Sequence, residues 1–283
     1  MPSRLKLDIR TMTRHEVDVA VEWAAREGWN PGVADAHCFH AADPDGFLIG
    51  CLDEEPIACI SVVRYDSSFG FLGFYMVKPK MRGRGYGYQL WQAGMERLAG
   101  CTVGLDGVVA QQDNYRQSGF VLAHQNTRFG GVPQSGRPHD PMLKPIRPEM
   151  VEAVVAYDRS FFPAYRHGFL QCWLRPDHRE GLALVENGAV RGYGVIRACR
   201  TGFKIGPLFA DSPDIVDLLF RGLTAKAPGQ PVFLDCPEPN QAAIDLATGY
   251  GLSPVFQTAR MYRGAAPELP LSRTYGITTL ELG

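Results

Sequence analysis

The chain has 283 residues, of which 45% are hydrophobic and 21% charged, and its formal net charge at pH 7 is -1. This composition is ordinary for a folded globular protein, and the length predicts two domains. The near-zero net charge argues against nucleic acid as a partner. No apolar run reaches the ~18–20 residues of a membrane span, and the N-terminal residues lack the apolar stretch of a signal peptide, so we expect a cytoplasmic protein.

The seven cysteines form no C-x-x-C pair, and their number is odd. We therefore expect reduced, partly buried thiols in a cytosol-like compartment. Neither a disulfide framework nor a metal site is predicted from them.

The first half is predicted to contain a meander of three strands. Apolar runs span 47–52, 57–65 and 70–77, and polar turns separate them. A helix follows, because Leu90, Trp91, Met95 and Leu98 recur at helical spacing, and Gly100 is expected to end it.

A basic, glycine-rich segment joins the third strand to this helix and contains the pattern Arg82-x-x-Gly85-x-Gly87. Glycines let the backbone approach a ligand and turn its N–H groups inward. The helix N-terminus adds about half a positive charge, and Arg82 and Arg84 supply more. The segment therefore predicts a cradle for a pyrophosphate. The alternative is a tight strand-to-helix turn with solvated arginines.

The strand, this loop and the helix together resemble the acetyl-CoA motif of the GNAT acyltransferases. The resemblance covers residues 9–130 well and 146–264 more weakly. It implies an α+β fold in which a mostly antiparallel central sheet is flanked by helices, and it implies acetyl-CoA as cosubstrate, with no metal. The pantetheine arm would pair with the backbones of Met76 and Val77. The pyrophosphate would lie on the loop and the first turn of the helix: Arg82, Gly83, Arg84, Gly85, Tyr86, Gly87 and Tyr88.

Tyr115 is the candidate general acid. The segment from Tyr115 to Gly119-Phe120 resembles the Tyr-x-x-x-Gly-Phe that closes many GNAT sites. A phenol with a pKa near 10 is protonated at pH 7 and can deliver a proton to a departing thiolate. The alternative is a packed core tyrosine. Asp106, after the strand 101–105, is the candidate base that deprotonates the attacking amine, with a solvated loop aspartate as the alternative.

The acceptor side is assigned to Trp29, Asn30, Asp35 and Tyr75. A Trp flanked by Gly, Asn and Pro in a turn is suited to stack on or enclose an acceptor. The alternative is a Trp that fills the junction of two helices.

The second half repeats the first. Three pairs of positions are each separated by 132 residues: Gly70 and Gly202, Val77 and Phe209, Gly119 and Gly251. Strands are predicted over 182–186, 190–198 and 202–209, with an Asn187-Gly188 hairpin turn, and a helix follows Ser212-Pro213. We expect a catalytic domain at 1–132, a Gly/Pro-rich linker at 133–144 and a degenerate copy at 145–283.

The same offset places Asp214, Asp217 and Leu219 where the first half has Arg82, Gly85 and Gly87, and Ala247 where it has Tyr115. An acidic, glycine-free segment would repel a pyrophosphate, so one cofactor site per chain is expected. Asn240 in the second half matches the Asn-x-x-Ala of ordinary GNAT domains. The copy is expected to complete the acceptor pocket or to stabilise the first domain.

The sequence therefore predicts an acetyl-CoA-dependent N-acyltransferase acting on the primary amine of a small molecule, as a monomer or homodimer. Two alternatives stay open: a CoA-binding sensor or scaffold without turnover, and a protein or peptide N-acetyltransferase.

Overall fold

The structure is a computed structural model that describes residues 7–134, 136 and 138–283. Residues 1–6, on which part of the signal-peptide argument rests, lie outside the described residues, as do Ser135 and Arg137 of the expected linker. In the first half the elements are β1 (Asp8–Thr11), α1 (Arg14–Arg26), α2 (Asp35–Ala42), β2 (Phe47–Leu52), β3 (Glu55–Arg64), β4 (Phe69–Val77), α3 (Tyr86–Arg97), β5 (Thr102–Val108), α4 (Gln112–Gln117) and β6 (Val121–Gly131).

The second half repeats this order. Its elements are β7 (Leu143–Pro145), α5 (Val151–Asp158), α6 (His167–Trp173), β8 (Arg179–Glu186), β9 (Ala189–Ala198), β10 (Phe203–Ala210), α7 (Pro213–Thr224), β11 (Val232–Pro237), α8 (Gln241–Gly249), β12 (Ser253–Arg263) and β13 (Thr274–Gly276). The predicted mixed fold with a mostly antiparallel sheet is confirmed. The expected linker extends too far, because β7 begins at Leu143.

Local sequence explains several element boundaries. Thr13 caps α1 in a reciprocal arrangement with Glu16, which is a capping box. Asn187 and Gly188 both have positive φ angles, 51° and 79°, as a two-residue hairpin turn between β8 and β9 requires. Gly100 has a φ of 83° just after α3, so its flexibility allows the chain to leave the helix.

The two halves share one sheet because they exchange their last strands. The strand order is β1-β2-β3-β4-β5-β12-β6-β11-β10-β9-β8-β7. The second half's β12 therefore pairs with β5 of the first half, and the first half's β6 pairs with β11 of the second. Neither half forms its complete sheet alone.

One buried ion pair joins each exchanged strand to its host sheet. Arg128 on β6 binds both carboxylate oxygens of Asp235 on β11, at 2.6 and 2.9 Å. Arg260 on β12 binds Asp106 on β5 in the same bidentate way, at 2.7 and 2.6 Å. Removing one partner of a buried pair leaves an uncompensated charge, so these contacts fix the strand exchange.

The cysteine prediction is wrong at one pair. Cys38 on α2 and Cys172 on α6 form a disulfide across 134 residues of sequence. The two helices occupy corresponding positions in the two halves and pack against each other, which cysteine spacing does not reveal. The other five cysteines are free thiols. Cysteine usage consequently no longer argues for a reducing compartment, and the cytoplasmic location stays a prediction.

The constant offset of 132 fails at the loop before α7. It holds for β6 and β12, which span 121–131 and 253–263. However, eight residues separate β4 from α3, whereas two separate β10 from α7. Asp214, Asp217 and Leu219 thus lie on α7, so their predicted one-to-one match with Arg82, Gly85 and Gly87 is wrong. In the second copy a two-residue connection stands where the first has the loop.

The second copy also fills its own cleft. Parallel pairing between β10 and β11 ends at Ile205 and Leu234. Beyond that point β13 pairs with β10, and the amide of Ile277 donates to the carbonyl of Asp235 on β11 at 3.0 Å. The chain therefore occupies the gap between these two strands itself.

Candidate active site

In the first half the corresponding gap is open. The parallel pairing of β4 with β5 ends at Leu72 and Leu105. A β-bulge on β4 follows, where Phe74 has a φ of 45° and the register against β3 shifts. Over residues 73–77, the edge of β4 on the β5 side consequently faces no neighbouring strand among the described residues, while the other edge stays paired with β3. Such an edge can pair with an extended ligand.

The glycine-rich loop lies at one end of this cleft. Gly83 and Gly85 have φ angles of 74° and 84°, and a Cβ at either position would meet no atom within 4 Å. Gly85 is the N-cap of α3 in the left-handed conformation and has no side chain to cap the helix, so the first N–H groups of that helix are left free of a side-chain cap. Arg84 and Tyr88 are exposed. Gly87 packs closely on Tyr75, since a Cβ there would lie 2.8 Å from the Tyr75 hydroxyl.

Arg82 connects the loop to both sides of the cleft. Its Nε donates to the carbonyl of Val77 at 2.8 Å, and its Nη2 pairs with Glu27 at 2.5 Å. The guanidinium is half exposed, so the ion pair with Glu27 contributes little to stability. A phosphate that entered the cleft would compete with the Glu27 carboxylate for this guanidinium.

Two cavities meet in the cleft. One, of about 800 Å³, lies between α3 and α4. The other, of about 310 Å³, lies deeper, between β4, β5 and β12. Both are lined by Tyr75, Gln111 and Tyr115, and Met76 and Val77 line the deeper one. A ligand threaded along β4 would pass these shared residues.

Tyr115 lies at the junction of the cavities. Its ring stacks on Trp91 at 5.7 Å between centroids and packs against Gly107, where a Cβ would lie 2.2 Å from the ring. Burial and, to a smaller extent, the nearby Tyr75 together raise the pKa of Tyr115 to about 12. The phenol therefore stays protonated across the physiological range and can act as an acid.

The structure corrects the assignment of Asp106 as a base. Its side chain is 0% exposed and both carboxylate oxygens bind Arg260. One of the oxygens also accepts from Asn126 at 2.8 Å. Burial raises the pKa of Asp106, and Arg260 and Asn126 offset part of that rise. Both carboxylate oxygens are occupied by the Arg260 guanidinium, so Asp106 joins β5 to β12 and has no free oxygen for an amine proton.

The predicted acceptor residues divide into two groups. Trp29 and Tyr75 line the deep cavity. Asn30 and Asp35 do not line it, and the assignment is corrected: the Asn30 amide donates to the carbonyl of Thr201 at 2.9 Å, and buried Asp35 pairs with Arg197 at 3.1 Å. Both residues bind the second half, which sequence reasoning could not place beside them.

Several residues of the second half line the deep cavity, and no local motif pointed to them. Phe256 and Thr258 come from the exchanged strand β12, and Leu280 and Glu281 from the segment after β13. The second half therefore forms part of the cavity wall, while the loop, β4 and Tyr115 come from the first half.

Among the described residues, no cluster of three or more His, Cys, Asp or Glu side chains could hold a metal ion. Within the same residues, no helix has the length and apolarity needed to cross a membrane.

Comparisons with known proteins agree with this geometry. Residues 14–120 match a family described as "Acetyltransferase (GNAT) family", and residues 154–276 match one described as "Acetyltransferase (GNAT) domain". The chain is 31% identical over 269 residues to a holothin acyltransferase from Pseudoalteromonas sp. (strain SANK 73390), covering 95% of this chain and 92% of the relative.

Solved structures show a similar fold. A putative acetyltransferase from Pyrococcus horikoshii superposes with a TM-score of 0.82 at 22% identity, covering 98% of this chain and 96% of the other. A tandem GNAT protein from the clavulanic acid biosynthesis pathway superposes with a TM-score of 0.65 at 13% identity, covering 93% and 100%.

Proposed function

The chain belongs to the GNAT acyltransferases, and on that premise we propose that it moves an acetyl group from acetyl-CoA to the amine of a small molecule. One observation carries the proposal: a single open cleft joins the glycine-rich loop to the deep cavity, with Tyr115 at the junction.

The cofactor side fits a pyrophosphate and an extended arm. The free space around Gly83 and Gly85 leaves room for phosphate oxygens beside the N-terminus of α3. Arg82 and Arg84 supply positive charge there. The unpaired edge of β4 at Met76 and Val77 can accept the backbone-like amides of the pantetheine arm. The corresponding positions of the second half are deleted or filled by β13.

The acceptor side fits a small molecule. The deep cavity of about 310 Å³ is at the lower end of the range for small-ligand pockets. Its wall includes Trp29, Phe256 and Leu280, which favours an acceptor with an apolar or aromatic body. The relative named for holothin supports a small-molecule acceptor over a protein.

Within this site, Tyr115 would protonate the sulfur as the thioester bond breaks. The amine nitrogen forms a bond to the acyl carbon, the carbon–sulfur bond breaks, and the phenol proton neutralises the leaving thiolate. The raised pKa of Tyr115 keeps that proton available.

The test has two measurements. Calorimetry with CoA should give one site per chain. In the second measurement, acetyl-CoA should be consumed in the presence of benzylamine, aniline, tryptamine or spermidine, as detected by thiol release and by mass spectrometry of the amide. Two equivalent CoA sites would contradict the single-site assignment. CoA binding without amide formation from any of the four amines would favour the sensor alternative.

A further inference from the structure

Residues 277–283 run through the interior of the molecule and pass the deep cavity. All seven are buried. Arg166 donates to the Thr278 hydroxyl at 3.0 Å, and the Tyr65 hydroxyl donates to the carbonyl of Leu282 at 2.9 Å. The segment between these contacts places Leu280 and Glu281 on the cavity wall.

One oxygen of the Glu281 carboxyl is buried without a partner. The residue is 3% exposed, and its Oε1 has no hydrogen-bond partner among the described residues. An unpaired buried carboxyl is costly, and such a group in a native fold calls for an explanation in function. Its position on the wall of a substrate-sized cavity supplies one.

The charged groups around Glu281 already have other partners. Arg128 on β6 binds Asp235, Arg197 on β9 binds Asp35, and Lys204 on β10 donates to the carbonyl of Trp29 at 3.3 Å. These groups influence the carboxyl through space but form no ion pair with it among the described residues.

The other carboxylates that line the cavity are engaged. Asp106 is held by Arg260, and Glu27 is paired with Arg82. Glu281 is therefore the one unpaired carboxyl that the described residues bring to this wall. Burial raises the pKa of this carboxyl, which strengthens it as a base.

We propose that Glu281 is the general base that removes the proton from the acceptor amine, a role that rests on the proposed acetyl transfer. As the nitrogen bonds to the acyl carbon, its proton passes to a Glu281 oxygen. The electrons of the carbon–sulfur bond leave with sulfur, which takes the Tyr115 proton. Glu281 then releases its proton to solvent and Tyr115 regains one, so the net products are the amide and the thiol.

The test compares Glu281→Gln with Glu268→Gln, a control at an exposed glutamate of the same C-terminal segment. With benzylamine, Glu281→Gln should lower kcat by roughly a hundredfold or more, the range for loss of a positioned base. CoA affinity by calorimetry should stay unchanged, because Glu281 lies on the acceptor side. The control should keep wild-type kcat.

Two further readouts separate a base from a packing role. The wild-type rate on aniline should fall on the acidic side as Glu281 becomes protonated, and Glu281→Gln should lack that fall above the pKa of aniline itself. Formate should restore part of the rate of Glu281→Ala, because it can enter the vacated space and accept the proton. A structural role would give neither effect.

Two outcomes separate failure of the proposed acetyl transfer from failure of Glu281 as its base. Wild-type protein that binds CoA but acetylates none of the four amines would overturn both the proposed function and the base. Active wild-type protein whose Glu281→Gln and Glu281→Ala variants keep normal kcat and the same acidic limb would overturn the base alone.

Discussion

Gly73 lies where the edge of β4 leaves β5, and it makes the position of the C-terminal segment testable. A Cβ at this position would lie 2.2 Å from the carbonyl oxygen of Glu281 and 3.0 Å from the Ser61 hydroxyl. Carbon–oxygen contacts are normally no closer than about 3.3 Å, so Gly73→Ala must move the two backbones apart by roughly 1 Å. The nearest atom belongs to backbone, so rotation of a side chain cannot relieve the clash.

Two consequences can be given magnitudes. Overpacking of this kind costs about 1–3 kcal/mol of unfolding free energy. At roughly 2–4 °C per kcal/mol for domains of 150–250 residues, Tm should fall by roughly 2–12 °C. Turnover should also fall, by up to roughly a hundredfold, because a misplacement of about 1 Å is enough to remove a catalytic group from its reaction geometry. CoA affinity should change little.

The assay combines thermal melting, amide formation and CoA calorimetry on Gly73→Ala. Gly249→Ala is the matched control: Gly249 ends α8, and a Cβ there would meet nothing within 4 Å. The control should be as stable as the wild type or slightly more so, since Ala favours helix over Gly. A Gly73→Ala protein with wild-type Tm and wild-type turnover would show that residues 277–283 do not dock against β4.

Three further predictions concern the cofactor loop, the acid and the disulfide. Gly85→Asp should abolish CoA binding in calorimetry of the folded protein, because the new carboxylate repels the pyrophosphate. The control Gly188→Asp changes a glycine with a similar positive φ and open surroundings, and it should bind CoA normally. Equal CoA affinities of the two variants would show that the loop is not part of the site. Tyr115→Phe should lower kcat by roughly a hundredfold or more with CoA affinity unchanged. Because burial raises the pKa of Tyr115 to about 12, ionisation of this group should cause no fall in the wild-type rate across the physiological pH range. Near-normal kcat in the variant would mean that water protonates the thiolate. Reduction of Cys38–Cys172 should lower Tm, since the bond closes a long loop in the unfolded chain and such bonds typically contribute about 2–4 kcal/mol to stability. If reductant does not change the Tm of the wild type, and the Cys38→Ser variant has the same Tm, the two cysteines are not linked.

Much of the meander and the cofactor loop could be predicted because their signals are local. The run at 47–52 became β2 without change, and Asn187-Gly188 forms the expected hairpin turn. The loop pattern around Gly85 was also interpretable, since strand, glycines and helix follow one another in sequence. Local periodicity and turn chemistry determine such features.

Features that depend on distant partners could not be predicted. The apolar pattern of β12 is the same whether the strand joins its own half or the other, so the exchange left no signal. Asp35 was assigned to the acceptor because it follows Trp29 closely, but its partner Arg197 lies 162 residues away. The Cys38–Cys172 bond depends on the same contact between halves. Residues 277–283 have neither periodicity nor motif.

The strand exchange accounts for a second fold that is retained without a cofactor site. If the second half only stabilised the first, its cleft could have stayed open or collapsed in many ways. Instead β13 fills it, Asn240 donates to the carbonyl of Thr274 at 3.0 Å to hold that strand, and the chain continues from there to the other cavity. Because β13 is held in the second cleft, the chain that follows it is positioned to place Leu280 and Glu281 on the wall of the deep cavity. On the proposed assignment, the single cofactor site and the acceptor wall both follow from the path of residues 274–283. Its first part, β13 and Ile277, lies where a pantetheine arm would pair in the second half, and its later part lines the deep cavity of the first half.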